Sequence, residues 1–182
     1  MLLDTPICDF GWKAPDFTLR DPNGIEFSMQ GHMGEKGLLI AFICNHCPYV
    51  KAIGSRLADD ARTLMDEGVN VLAVMSNDYR DYTEDSPENM LRFADQYGFS
   101  FPYLVDEDQS VGKTYGAVCT PDFFGLNSSG ELQYRGRLDD ARVGDANNRI
   151  TELLDAMRLI AETGKGPKDQ IPSMGCSIKW RY

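Results

Sequence analysis

Two cysteines three residues apart, Cys44 and Cys47, stand in the stretch FICNHCPYV, directly after an apolar run. Thiols at that spacing can share a metal ion, close a structural bridge, or trade a disulfide with a substrate. Residues three apart share a helix face, which brings the sulfurs within bridging range without bending the backbone. Pro48 suits a first helical turn, whose amides lack helical partners. Cys44 is expected at or just before the helix N-terminus, with Cys47 one turn inside. Free N–H groups and the helix dipole would then favour a thiolate at Cys44, and a cationic His46 would push the same way. Cys47 would be the resolving thiol. Structural zinc usually takes four Cys or His ligands in two spaced pairs. Beyond the one CxxC, only His32, His46, Cys8, Cys119 and Cys176 could complete such a set. No metal and no cofactor is therefore expected, and redox chemistry is the favoured use of the pair.

The flanking elements must position these thiols. APDFTLRDPNGIEFSM reads as a hairpin, with Phe17 to Leu19 and Ile25 to Phe27 flanking DPNG. GEKGLLIAFI has the continuous apolar character of a strand buried on both faces. Residues 47 to 67 carry Val50, Ile53, Leu57, Ala61 and Leu64 at helical spacing, with Gly68 as the stop. VNVLAVMSND is a second buried strand. SPENMLRFADQYG is a helix capped by Ser86, opened by Pro87 and ended by Gly98. FPYLVDED is a short strand and QSVGKTYG a short helix. TPDFFGLNSSGELQYRGRL forms a hairpin around NSSG. Residues 145 to 163 form a last helix, with Ile150, Leu153, Leu154, Met157 and Ile160 on one stripe. Helices thus alternate with a mixed sheet, so the class is α/β. The cysteine pair falls at the C-terminal end of an early central strand, the edge where open α/β sheets place their chemistry.

The 182 residues fit one domain, here residues 1–164, followed by a tail over 165–182. The tail, ending IPSMGCSIKWRY, carries too much apolar surface to fray. It is expected to dock: over the active-site edge, where Cys176 would be an accessory thiol, or on the opposite face, where Cys176 only packs. The packing role is the favoured one. Acidic residues number 28 against 18 basic, a formal charge of −10, which argues against nucleic acid and anionic membranes as partners. No apolar run approaches the ~18 residues of a membrane span. An odd cysteine count with no signal-like N-terminus points to a reducing, cytoplasmic location.

Thr120-Pro121 opens a predicted strand, a place where proline is tolerated and where the bond can be cis or trans. Cys119 beside it either approaches the pair or packs as a small apolar residue. Cys8 lies in an N-terminal segment expected to be mobile. His32 is read as a solvent-side loop residue, Trp12 and Trp180 as packing anchors, and Asp139-Asp140 as a solvated acidic loop.

Four stretches resemble the thioredoxin-like fold, and within it the redoxin branch of alkyl hydroperoxide reductase and thiol-specific antioxidant (peroxiredoxin) proteins. They are APDFTLRDPNG, LLIAFICNHC, FPYLVDEDQSVGKTYGA and TPDFFGLNSSGEL, within residues 14 to about 163. The resemblance implies a cis bond at Thr120-Pro121, facing the cysteines and touching substrate. The chain departs from the peroxiredoxin pattern Pro-x-x-x-Thr-x-x-Cys. With Cys47 as the reactive cysteine, Cys44 stands for the Thr and Ile40 for the Pro; with Cys44 as the reactive cysteine, Ala41 and Gly37 stand there. The distant Arg falls on Pro121. Without those donors for the peroxide and its developing charge, peroxidase activity is expected to be slow. The chain also departs from thioredoxin's WCGPC. A His before the second cysteine is also the pattern of disulfide isomerases and of the bacterial periplasmic oxidant, whose potentials lie roughly 90 to 150 mV above thioredoxin's.

The expected function is thiol–disulfide exchange. Cys44 attacks and Cys47 resolves, while Thr120 and Pro121 shape the docking surface. The partners would be protein or small-molecule disulfides and a thiol reductant. The rival readings are a peroxiredoxin-like peroxidase and a non-enzymatic metal-binding or scaffold protein.

Overall fold

The computed structural model describes residues 1–182. The chain opens with a short strand, β1 (Leu2–Asp4), and a hairpin of β2 (Thr18–Arg20) and β3 (Glu26–Ser28). The hairpin turns because the Asp21 carboxylate accepts the N–H groups of Asn23 and Ile25, both at 2.9 Å, while Gly24 takes a φ of 84°. Then come β4 (Gly37–Phe42), α1 (Pro48–Asp66) and β5 (Val69–Met75). A single 3-10 turn (Thr83–Asp85) leads into α2 (Pro87–Tyr97). The Ser86 hydroxyl accepts the Asn89 N–H at its start and Gly98 closes it in the left-handed region. The remainder is β6 (Tyr103–Val105), α3 (Ser110–Tyr115), β7 (Cys119–Thr120), β8 (Asp122–Leu126), β9 (Leu132–Tyr134), α4 (Glu152–Thr163) and β10 (Met174–Ser177).

The main sheet runs β3-β2-β6-β5-β4-β8-β9, with β5 parallel to β4 and β6, and β8 antiparallel to β4. Every residue of β4 is buried. Its side chains alternate: Leu39 and Ala41, with Ile43 just beyond the strand, join the core beneath α1, α2 and α4, while Leu38, Ile40 and Phe42 pack with Tyr115, Phe124 and the β2–β3 hairpin. A strand covered on both faces is apolar throughout, which is why β4 was legible as an unbroken run. A second, small sheet runs β1-β10-β7. It ties the N-terminus, the tail and Thr120 together.

Several sequence expectations are corrected. α4 begins at Glu152 rather than 145, because Asn148 adopts a φ of 60° that no continuing helix allows. Ile150 is consequently 59% exposed and off the buried stripe. The N-terminal segment is not loose, since β1 pairs with β10. His32 is half-buried, its ring nitrogen 3.1 Å from the Val71 carbonyl and its ring edge against Phe27. Asp139 is buried between Arg56, at 2.9 Å, and Arg149, at 3.2 Å, so it is a structural ion-pair centre rather than a solvated loop residue.

Candidate active site

Strand β4 delivers Ile43 and Cys44 to the C-terminal edge of the sheet, and α1 begins at Pro48. Cys47 is therefore the N-cap of α1, with extended backbone, and Cys44 lies a full turn before the helix. Both cysteines are shut from solvent, at 1% and 0% exposure. Thr120 sits against the pair. Its hydroxyl is 3.3 Å from the Cys44 sulfur, and its carbonyl accepts the Cys47 thiol at 3.3 Å. The Thr120-Pro121 bond is cis.

The loop between the cysteines is pinned by a buried carboxylate that the sequence did not single out, Asp85. One of its oxygens accepts the N–H groups of Asn45, at 2.7 Å, and His46, at 3.1 Å. The other takes the His46 imidazole Nδ1 at 2.5 Å and the Asn77 amide at 3.0 Å. Asp85 has no solvent exposure. Burial alone would raise its pKa, but His46, Asn77 and the Asn45 amide hold it below the usual carboxylate range. The Asp85 carboxylate in turn raises the His46 pKa, which favours the charged pair. The imidazole stacks on Tyr82 with centroids 5.6 Å apart. The Asn45 side chain accepts from the Tyr103 hydroxyl at 2.9 Å and donates to the Glu84 carbonyl at 3.0 Å.

This arrangement reverses the expected charges on the two thiols. The Cys44 pKa is pushed well up by its neighbour Cys47, by burial and by the Asp85 carboxylate. The Cys47 pKa falls to about 4, chiefly because Cys44 donates to its sulfur, with help from the Thr120 hydroxyl and the N–H groups of Cys176 and Val50. The Thr120 carbonyl opposes this by accepting the Cys47 thiol proton. The Cys44 and Thr120 side chains outweigh it, and the Val50 amide at the helix start adds to them. The dipole acts on Cys47 because Cys47, not Cys44, caps the helix. Donor atoms of Cys44, His46 and Asp85 lie within 4.8 Å of one another. Both Asp85 oxygens are already committed to neighbours, so a metal there would have to displace the contacts that hold the loop.

The AhpC/TSA family profile matches residues 10–135. The chain belongs to the AhpC/TSA family. Its mixed sheet flanked by helices is the thioredoxin-like fold, and it is an oxidoreductase of the redoxin type. An uncharacterized conserved protein from Geobacillus kaustophilus is similar over 100% of this chain and 97% of its own, with a TM-score of 0.92 and 38% identity. The thiol-disulfide oxidoreductase ResA of Halalkalibacterium halodurans is 28% identical over 130 residues, 71% of this chain and 69% of ResA. Peroxiredoxin Bcp of Escherichia coli K12 is 27% identical over 117 residues, 64% of this chain and 70% of Bcp.

Within this AhpC/TSA member, Cys119 turns its thiol to the Pro121 carbonyl at 3.6 Å, and burial lifts its pKa to about 12. Cys8 is half-buried, its pKa raised to about 11. Cys176 lies in β10, opposite Thr120. The tail thus lies over the active-site edge, not on the opposite face that was favoured. The arginines of the β9 hairpin are occupied: Arg135 pairs with Asp122 at 2.9 Å and Arg137 with Glu152 at 2.6 Å. No helix is long and apolar enough to cross a membrane. Asp85 was missed because it sits among other acids in TEDSPEN, and only the loop's path after β5 selects it from Asp81 and Glu84. The one available signal was that loops leaving the C-terminal ends of parallel strands reach this edge.

Proposed function

We propose that this protein carries out dithiol–disulfide exchange through Cys44 and Cys47. The observation that carries the reading is the thiol pair itself: two buried sulfurs, each 3.3 Å from an oxygen of Thr120, beside the cis bond to Pro121, with the Cys47 pKa lowered. The Cys47 thiolate attacks a sulfur of the substrate disulfide. A mixed disulfide forms and the first substrate thiolate leaves. Cys44 then attacks the Cys47 sulfur, giving the Cys44–Cys47 disulfide, and its proton goes to the second departing substrate thiolate. A thiol reductant restores the pair. Asp85 and His46 act as positioning residues, holding the loop that sets the distance between the sulfurs. Thr120 and Pro121 offer the docking surface for protein or small-molecule disulfides.

Insulin-disulfide reduction tests the reading. Cys47→Ser should abolish it. Cys44→Ser combined with Cys176→Ser, which removes both thiols beside Cys47, should accumulate a mixed disulfide on Cys47, seen by mass spectrometry. A protein that leaves insulin untouched, or that traps substrate on Cys44 instead, would overturn the reaction or the order of attack respectively.

A second reading, peroxide reduction, draws support from the lowered pKa of Cys47. Against it stand Cys44 in place of the donor Thr and the pairing of Arg135 and Arg137 with carboxylates. Turnover with hydrogen peroxide in the true peroxiredoxin range, lost in Cys47→Ser and kept in Cys44→Ser, would favour it.

A further inference from the structure

Strand β10 lies antiparallel to β7 with Cys176 opposite Thr120 and Ser177 opposite Cys119. It is held there from both ends. The Ser173 hydroxyl donates to the Pro121 carbonyl at 2.7 Å, and the Ile178 N–H donates to the Val118 carbonyl at 3.1 Å. On its other edge β10 pairs with β1, Leu2 facing Cys176. An extended strand beside Thr120 and Pro121 is where the proposed docking surface would receive an extended substrate, so the chain places a piece of itself on its own docking surface.

The fit is close at one residue. A Cβ on Gly175 would stand 1.8 Å from the Thr120 carbonyl oxygen and 3.2 Å from Pro121. Only glycine lets β10 approach this near, and the approach brings the next residue, Cys176, to Cys47. Cys176 packs against the core cluster that contains both Cys44 and Cys47. Its thiol and its N–H both face the Cys47 sulfur. Three thiols therefore meet in a row, Cys44, Cys47 and Cys176. Cys176 is the one with partial access to solvent.

Building on the exchange reading above, we propose that Cys176 is a third redox thiol that takes over the disulfide from the pair. The Cys176 thiol loses its proton and attacks the Cys47 sulfur of the Cys44–Cys47 disulfide. The Cys47–Cys176 bond forms as the Cys44–Cys47 bond breaks, and the electron pair leaves on Cys44, which takes the proton. One disulfide exists before and after, so no outside oxidant is needed. The step moves the oxidised bond from a sealed site to a half-buried strand, where a thiol reductant can reach it.

The experiment is mild diamide oxidation of full-length protein, followed by digestion without reduction and mass mapping. In Cys44→Ser, an intramolecular Cys47–Cys176 peptide is expected, absent from Cys44→Ser carrying Cys176→Ser. In the wild type, both Cys44–Cys47 and Cys47–Cys176 peptides are expected. Gly175→Ala, which pushes β10 away from Thr120, should lose most of the Cys47–Cys176 peptide while keeping Cys44–Cys47. Cys44→Ser protein that shows no Cys47–Cys176 peptide overturns the proposal. An undiminished Cys47–Cys176 yield in Gly175→Ala overturns the strand geometry behind it. Insulin reduction by the wild type separates the two readings. Reduction without the Cys47–Cys176 peptide sinks the third thiol alone, and the peptide without reduction sinks the exchange reading alone.

Discussion

Asp85 accepts from two backbone amides, an imidazole and an amide side chain in a site closed to solvent. Asp85→Asn keeps the shape but removes the charge opposite His46. Breaking one side of a buried pair costs about 3–5 kcal/mol. His46, with a raised pKa, contributes fully below its ordinary 6.5 and loses that contribution as pH rises through the raised value. Asp85, with a lowered pKa, contributes above its ordinary 3.8 and loses that as pH falls through the lowered value. Denaturant titrations at a series of pH values should therefore show the largest loss in Asp85→Asn between those limits, shrinking on either side. The thiols give a second expectation. Thiolate ultraviolet absorbance of the reduced protein should titrate near the value of about 4 set at Cys47. That transition should vanish in Cys47→Ser and move upward in Cys44→Ala, which removes the main donor to the thiolate. A transition that survives Cys47→Ser would return the charge to Cys44.

Helix α1 starts directly after the thiol pair, with Cys47 as its N-cap, and its seat against α2 fixes where that cap points. Gly54, buried in α1, meets the Tyr97 ring of α2: a Cβ there would stand 2.5 Å from the ring. Glycine to alanine inside a helix ordinarily gains about 1 kcal/mol. Here overpacking, worth about 1–3 kcal/mol, should win. Gly54→Ala should lower the urea midpoint, and adding Tyr97→Ala should recover part of the loss. A higher midpoint in Gly54→Ala alone would show that Tyr97 moves aside freely. The start of α1 matters as much. Pro48 has no N–H to give, so the amides that reach the cap belong to later residues, and Val50 supplies one to Cys47.

Across the whole molecule, the tail is clamped by residues far from it in sequence. The Gln109 amide donates to the Ser76 and Lys179 carbonyls at 2.8 and 2.9 Å, and its oxygen accepts the Arg181 N–H at 2.7 Å. Asp78 adds a bond to the Lys179 carbonyl at 2.8 Å and an ion pair with Arg181 at 3.1 Å. Trp180 packs beside Gly112 under Lys113. Opening of the site is thus tied to release of this clamp. Gln109→Gly keeps the left-handed φ of 64° that Gln109 adopts but deletes both bonds to the tail. At about 1 kcal/mol each, the open population should rise roughly ten- to thirtyfold. Alkylation of reduced Cys47 should speed up by that factor, together with amide exchange over residues 174–181. An unchanged alkylation rate would mean that reagents reach Cys47 by a route other than the tail.

The sequence by itself determined the order of elements and the place of the cysteine pair. Those follow from local physics: apolar runs in β4 and β5, the Ser86 cap, the turn chemistry of DPNG and NSSG, and the CxxC at a strand-to-helix junction. The family resemblance carried the cis bond at Thr120-Pro121 and the departures from the peroxiredoxin pattern. Only the tertiary structure separates the two thiols, raising the Cys44 pKa and lowering that of Cys47, because that depends on Asp85, 41 positions beyond Cys44, and on the groups that donate to Cys47. It also decided that Asp139 is buried, since its partners Arg56 and Arg149 come from two other segments. The tail's destination was open for the same reason. Its composition required burial, but the choice of face rests on β1 pairing, the close approach of Gly175 and the Gln109 clamp, none of which is a neighbour in the chain.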